Sequence, residues 1–124
     1  MKVIATNKAP AAVGPYSQAV DCGDTVYLSG QIPLVPETGL IAEGDITVQA
    51  HRMFRNIAAV LEKAGLGFEN VVKTTVFLQD IKDFAALNAV YGEYFAEPYP
   101  ARSCVEVGAL PKGALCECEC IARR

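Results

Sequence analysis

Two charged side chains in the last quarter of the sequence have the types and spacing that can do chemistry. The first is Arg102, in Pro100-Ala101-Arg102-Ser103-Cys104-Val105-Glu106-Val107. A proline fixes the backbone at the entry to this stretch. Valines then alternate with polar residues, which is the period of a strand with two unlike faces. On such a strand Arg102, Cys104 and Glu106 point one way, and Ser103, Val105 and Val107 the other. An arginine at the start of a strand is held at a sheet end. Its planar, always-charged guanidinium can grip a carboxylate through two parallel hydrogen bonds. The second is Glu117, which follows the turn Leu110-Pro111-Lys112-Gly113 on a strand that also carries Glu119. One turn is thus expected to bring an anion-binding arginine and a carboxylate to neighbouring strands. A carboxylate beside an arginine-bound substrate can orient a water or carry a proton. Each residue also fits a plainer reading, Arg102 as a surface ion-pair arginine and Glu117 as one of two carboxylates on a solvated strand face.

The other reactive side chains are less pointed. Cys116, Cys118 and Cys120 alternate with Glu117 and Glu119, so thiols and carboxylates take opposite faces. The thiols do not read as a zinc site. Residues two apart on a strand are separated by roughly 6.6 Å, and thiolates sharing a zinc at bond lengths of about 2.3 Å must come closer. There is no Cys-x-x-Cys and only one histidine. Small buried apolar groups is the better reading. Cys104 shares the face of Arg102 but has no evident base. His51 falls in the middle of the first helix and reads as a helix-surface residue, which makes a Cys-His nucleophile pair the weaker alternative. Asn88 lies on the apolar side of the second helix, where a buried amide needs a partner, either a neighbouring backbone group or a substrate. Tyr16, Ser29 and Gly30 sit at bends and strand ends, and Gly30 can let a ligand approach the backbone. Gly65-Leu66-Gly67 has no strand before it and is no dinucleotide loop.

The elements that position these groups follow from periodicity. Lys2 to Thr6 reads as a first strand, and residues 7–14 as an Ala- and Pro-rich loop. Residues 17–29 read as a hairpin turning at Asp21-Cys22-Gly23-Asp24. Asp45 can cap a helix whose stripe is Ile46, Ala50, Met53, Phe54, Ile57, Val60, Leu61 and Ala64, stopped by Gly65. Val71 to Leu78 is a β-branched strand. A second helix follows Asp80 and Asp83 with Phe84, Leu87, Tyr91, Tyr94 and Phe95 on one side. The last strands are expected at about 102–108 and 115–122. Right-handed crossovers put both helices on one face of a single sheet. The other face stays uncovered and partly apolar, which predicts self-association.

A chain of 124 residues, with 52% hydrophobic and 20% charged residues, reads as one globular domain spanning 1–124. Its net charge of −3 gives no general attraction to nucleic acid. No apolar run reaches the roughly 18 residues of a membrane span, and the N-terminus lacks the apolar core of a signal peptide. Five cysteines without a secretory signal imply reduced thiols in the cytoplasm.

Five stretches in this order resemble the reactive intermediate deaminase family, RidA/YjgF, which carries the older label endoribonuclease L-PSP. They are Gly14-Pro15-Tyr16-Ser17-Gln18-Ala19, Ser29-Gly30-Gln31-Ile32-Pro33, Val72-Lys73-Thr74-Thr75-Val76-Phe77-Leu78, Leu87-Asn88-Ala89-Val90-Tyr91 and Pro100-Ala101-Arg102-Ser103-Cys104-Val105. The family usually flanks its final-strand glutamate with aliphatic residues, and here Cys116 and Cys118 stand there instead. The resemblance implies an α+β, chorismate-mutase-like fold and a homotrimer with active sites in clefts between subunits. It implies hydrolysis of enamines and imines, such as 2-aminoacrylate released by pyridoxal-phosphate enzymes, to 2-keto acids and ammonia. It implies no metal or organic cofactor. Carried over, Arg102 holds the substrate carboxylate, Glu117 handles the attacking water and a proton, Tyr16 lines the pocket, and Ser29, Gly30, Asn88 and Cys104 shape it. The alternatives are an endoribonuclease or translation inhibitor, and a non-catalytic module that binds 2-keto acids.

Overall fold

The computed structural model describes residues 1–124. Six strands form one mixed sheet: β1 (Lys2–Ile4), β2 (Ala19–Asp21), β3 (Thr25–Gln31), β4 (Val71–Leu78), β5 (Ala101–Glu106) and β6 (Cys116–Arg123). Two helices, α1 (Ile46–Lys63) and α2 (Phe84–Tyr94), lie on the connections β3 to β4 and β4 to β5. The fold is α+β with both helices on one face, as the pattern predicts.

α1 begins where Asp45 accepts a hydrogen bond from the Val48 amide at 3.1 Å, the N-cap geometry. It ends at Ala64, and Gly65 takes the left-handed conformation with φ +75°. Ala50, Met53, Phe54, Ile57, Val60 and Leu61 are completely buried. They meet Val76, Leu78, Cys116, Cys118 and Ala122 of the sheet and Leu87 and Val90 of α2 in one core. Phe54 is the hinge of an aromatic cluster, stacked on Tyr94 at 5.0 Å and edge-on to Tyr91 and Phe95 at 5.7 and 5.9 Å. Truncating it to alanine should cost about 3–5 kcal/mol.

The strand order is β1-β2-β3-β6-β4-β5. β6 runs antiparallel to both β3 and β4, and β4 pairs with β5 in parallel. This corrects the expectation that one turn makes the Arg102 and Glu117 strands neighbours. The turn Leu110–Gly113 instead carries the chain past β4, because β6 fills the gap that the β3–α1–β4 crossover leaves open. The expected ends shift slightly as well. β1 stops at Ile4, β5 covers Ala101–Glu106, and β6 starts at Cys116 and reaches Arg123.

On the helix-covered face lie Thr74, Val76 and Leu78 of β4 and Cys116, Cys118 and Cys120 of β6, all buried. Burial pushes the Cys116 thiol up to about 12, and the side-chain hydrogen bond with Cys120, followed by burial, holds the Cys118 thiol well above its ordinary value. These are inert apolar groups, and no three His, Cys, Asp or Glu side chains converge to hold a metal ion. On the other face Tyr27 and Val105 stand 46% and 45% exposed, so that face is uncovered and partly apolar. No helix is long and apolar enough to cross a membrane.

Candidate active site

Arg102 faces the helices. In the parallel ladder it stands opposite Thr74, and Cys104 stands opposite Val76, both buried under α2. β5 is an edge strand, so the guanidinium emerges at the rim of the sheet and meets α2 from the side. It lies 4.7 Å from the centre of the Tyr91 ring and 5.5 Å from that of Phe84. A cation over aromatic faces is held electrostatically as well as by packing. Tyr91 is itself fixed. Its hydroxyl is 2.8 Å from the buried Thr74 hydroxyl, and its ring stacks on Phe95 at 4.3 Å. Burial raises the Tyr91 phenol, which therefore stays protonated for that bond. Arg102 Nη1 donates to Asn88 Oδ1 at 2.7 Å. Asn88 is half-buried and bonds to this side chain rather than to the neighbouring backbone group its sequence position suggests.

No carboxylate pairs with Arg102. The ion pairs of the chain are His51–Glu93, Arg123–Asp24 and Arg124–Asp21. The guanidinium thus keeps most of its donors free at a pocket of about 350 Å³ formed with Asn88, Tyr91, Gly92, Tyr99 and Pro100. A small carboxylate is the ligand that such a fork fits. Cys104 is two residues further along the same face, outside this pocket. Burial raises its thiol although Arg102 pulls the other way. His51 is not a free surface residue, because its Nδ1 lies 2.9 Å from the Tyr94 hydroxyl. The Cys-His alternative has no geometry behind it.

Glu117 is on the opposite face of the sheet. It projects into a cavity of about 580 Å³ whose lining includes Tyr16, Ser29, Gly30, Lys112 and Glu119. The carboxylate accepts no hydrogen bond from the chain. Burial raises its proton affinity first, and the neighbouring Glu119 charge adds to this. A half-buried, unpaired carboxylate with raised proton affinity can take a proton from water and return it. Ser29 and Gly30 are brought beside it by an irregularity in the β3–β6 ladder. Leu28 pairs with Cys120 and Gln31 with Cys118, so two residues of β3 face one of β6. The Ser29 hydroxyl donates to the Ser17 carbonyl at 2.6 Å. Tyr16 is half exposed at the mouth, its hydroxyl accepting from the Val13 amide at 3.3 Å.

The seven residues singled out by sequence therefore fall into two groups. Tyr16, Ser29, Gly30 and Glu117 share one cavity, Arg102 and Asn88 share another pocket with Cys104 near it, and the sheet separates them. Sequence reasoning missed the groups that hold these walls. Buried Asn56 donates to the Ile32 and Leu34 carbonyls at 3.1 and 2.9 Å and accepts twice from Arg52. Buried Gln18 donates to the Thr6 and Pro10 carbonyls at 3.0 and 2.7 Å, and Gln49 accepts from the Leu115 amide at 2.9 Å. An amide within an apolar helical stripe, as Asn56 is between Met53 and Val60, was the available signal.

The sequence and the fold have counterparts among known proteins. The sequence matches the family described as Endoribonuclease L-PSP over residues 6–124. It is 52% identical over 126 residues to a 2-iminobutanoate/2-iminopropanoate deaminase of Salmonella typhimurium, covering 99% of this chain and 98% of that one. A mouse protein of the same name is 48% identical over 121 residues, covering 98% and 90%. The crystal structure of RidA from an Antarctic Psychrobacter superposes with a TM-score of 0.96 at 51% identity, covering 100% of both chains. With one sheet, two helices and full-length matches of this kind, the chain belongs to the RidA/YjgF family, also described as Endoribonuclease L-PSP.

Proposed function

We propose that this protein hydrolyses 2-imino acids and their enamine tautomers, of the 2-iminobutanoate and 2-iminopropanoate type, to 2-keto acids and ammonia. It does so as a chorismate-mutase-like homotrimer with its sites in the clefts between subunits. One observation carries the reading. A half-buried guanidinium without an acidic partner and a half-buried carboxylate without a basic one lie on opposite faces of one sheet. Neither can serve the other within one chain. A second copy laid against the uncovered face puts Arg102 of one protomer beside Glu117 of its neighbour. The activity named for the two deaminase relatives supports the substrate class.

The chemistry suits these groups. Protonation of an enamine at carbon gives an imine whose C2 is electrophilic. Arg102, steadied by Asn88, Tyr91 and Phe84, takes the substrate carboxylate bidentately and fixes C2 against the opposite wall. Glu117 accepts a proton as water attacks C2, then returns it to nitrogen. The carbinolamine hydroxyl then passes its proton, through the same carboxylate, to the nitrogen; the C–N bond breaks, ammonia leaves and the keto oxygen remains from water. The raised proton affinity of Glu117 brings it closer to working pH for both transfers. Tyr16, Ser29 and Gly30 line the half-site of Glu117, and Cys104 flanks that of Arg102. The scheme draws on no metal or organic cofactor. Its substrate must come from reactions that eliminate a β-substituent, such as the hydroxyl group as water, from an amino acid while keeping its carbon skeleton, the chemistry of pyridoxal-phosphate enzymes. Five unpaired cysteines support a reducing, cytoplasmic setting.

An endoribonuclease reading rests on the names given to the family and to some of its members. The Glu117–Glu119 cavity and the net charge of −3 repel a phosphate backbone. The test is ammonia and keto-acid release from imine generated in place by a serine or threonine dehydratase, with sedimentation run alongside. Faster release with the protein than without it, from a trimer, is the expected result. A monomer, or binding of pyruvate with no acceleration, would overturn the proposal, the latter in favour of a 2-keto-acid-binding module.

A further inference from the structure

Gly30 has a negative or extended backbone conformation, unlike the six glycines of this chain with φ between +70° and +140°. Backbone freedom is therefore not what requires glycine there. Space is. A Cβ built on Gly30 would overlap Glu117 Oε1 and lie 3.0 Å from Cδ and 3.2 Å from Cγ. No other atom is among its nearest neighbours. The volume that a side chain would take at position 30 is filled by the Glu117 carboxyl group. The bulge that leaves Ser29 and Gly30 together opposite β6 presents this backbone to the carboxylate.

We propose that Gly30 is a positioning residue whose missing side chain forms the seat of the Glu117 carboxylate. This rests on the reading of Glu117 as the proton carrier. It differs from the expectation that Gly30 admits a ligand to the backbone, because the space is already taken by the protein's own acid. The seat works by exclusion. With no hydrogen bond to hold it, the carboxylate is located by the contacts around it, and against β3 that contact is bare backbone. Filling the seat moves only the far end of a flexible side chain, so an alanine should leave the fold intact and displace the reactive oxygens by about an ångström. A displacement of that size can lower a rate about 100-fold.

The test compares Gly30→Ala, Glu117→Asp, the double variant and Glu117→Gln in the coupled ammonia-release assay, with pyruvate affinity and thermal unfolding measured on each. Gly30→Ala is expected to keep its melting temperature and its pyruvate affinity and to lose about 100-fold in kcat. Glu117→Asp withdraws the carboxylate by one methylene and vacates the seat. The double variant should therefore be no slower than Glu117→Asp alone, whereas independent effects would multiply. Multiplying losses, or an unchanged kcat in Gly30→Ala while Glu117→Gln is inactive, would overturn the seat and leave the role of Glu117 standing. Full turnover by Glu117→Gln would overturn both.

Discussion

On the helix-covered face Arg102 is held by two aromatic rings and an amide, whereas on the open face Glu117 is carried by its strand and lies against the bare backbone of Gly30. The contrast follows from what each face has above it. α2 supplies Phe84, Asn88 and Tyr91 within one helical stretch, so the guanidinium is oriented in the isolated protomer. No helix lies over Glu117; loop residues such as Tyr16 and Lys112 line the cavity around it. On the proposed function, the anion grip is preformed in the protomer and the site of the proton carrier is completed on assembly. Separating binding from proton transfer across a sheet makes each one independently breakable.

The sharpest break uses both faces at once. Arg102→Ala and Glu117→Gln trimers should each lose roughly 100-fold or more in rate. Dissociated and reassembled together, they should regain roughly a quarter of wild-type activity, since random mixing in a cyclic trimer places one intact residue from each parent at a quarter of the clefts. No recovery would mean that each site lies within one chain. Arg102→Lys comes next. It keeps the charge and loses the planar fork, and hydrogen bonds to charged groups contribute about 1.5–3 kcal/mol each. Calorimetric titration of pyruvate or 2-oxobutyrate should show a ten- to a hundredfold weakening, about one such bond. Equal affinity would reduce Arg102 to a structural arginine.

A smaller effect is expected from Asn88→Ala, which removes the 2.7 Å bond and leaves the ring platform. KM should rise about two- to tenfold with kcat nearly unchanged; a fall in kcat instead would place Asn88 in the chemistry. The smallest concerns pH. Glu117 must be ionised to accept a proton, and burial with Glu119 holds its pKa above the ordinary carboxylate value. The rate should therefore fall on the acid side with a midpoint above that value. Glu119→Gln removes a like charge, eases ionisation of Glu117 and moves the midpoint to lower pH with the plateau kept. An unmoved limb would assign it to another group.

What the sequence makes legible is local. The α1 stripe, its Asp45 cap and the alternation of Cys116 to Cys120 with Glu117 and Glu119 are all set by residues a turn or a strand apart. The side chains of Arg102 and Cys104 were likewise placed on one face by period alone. Strand order is a different kind of information. Whether β6 pairs with β5 or slips between β3 and β4 depends on contacts about 40 to 100 residues away, and the turn before it looks the same either way. That is why the strands of Arg102 and Glu117 read as neighbours and are found with β4 between them. Tyr91 and Phe84 were legible as an apolar helical side, but apolar periodicity does not tell a core ring from one that carries a cation.

The insertion of β6 also sets an order in time. Before residues 116–123 are available, the chain can form two separate pieces of sheet, β1-β2-β3 and β4-β5, each with a raw edge. The last strand in sequence is the one that joins them, through pairings distant in the chain and hence slow to find. A chain emerging from the ribosome carries α1 and α2 with no complete sheet to pack on. Cys116, Cys118 and Cys120, small and buried in the core, arrive as the wedge that closes it, and the same movement delivers Glu117 to the outer face. Folding of the protomer and the placing of Glu117 on its outer face are one event, completed only once β6 is available.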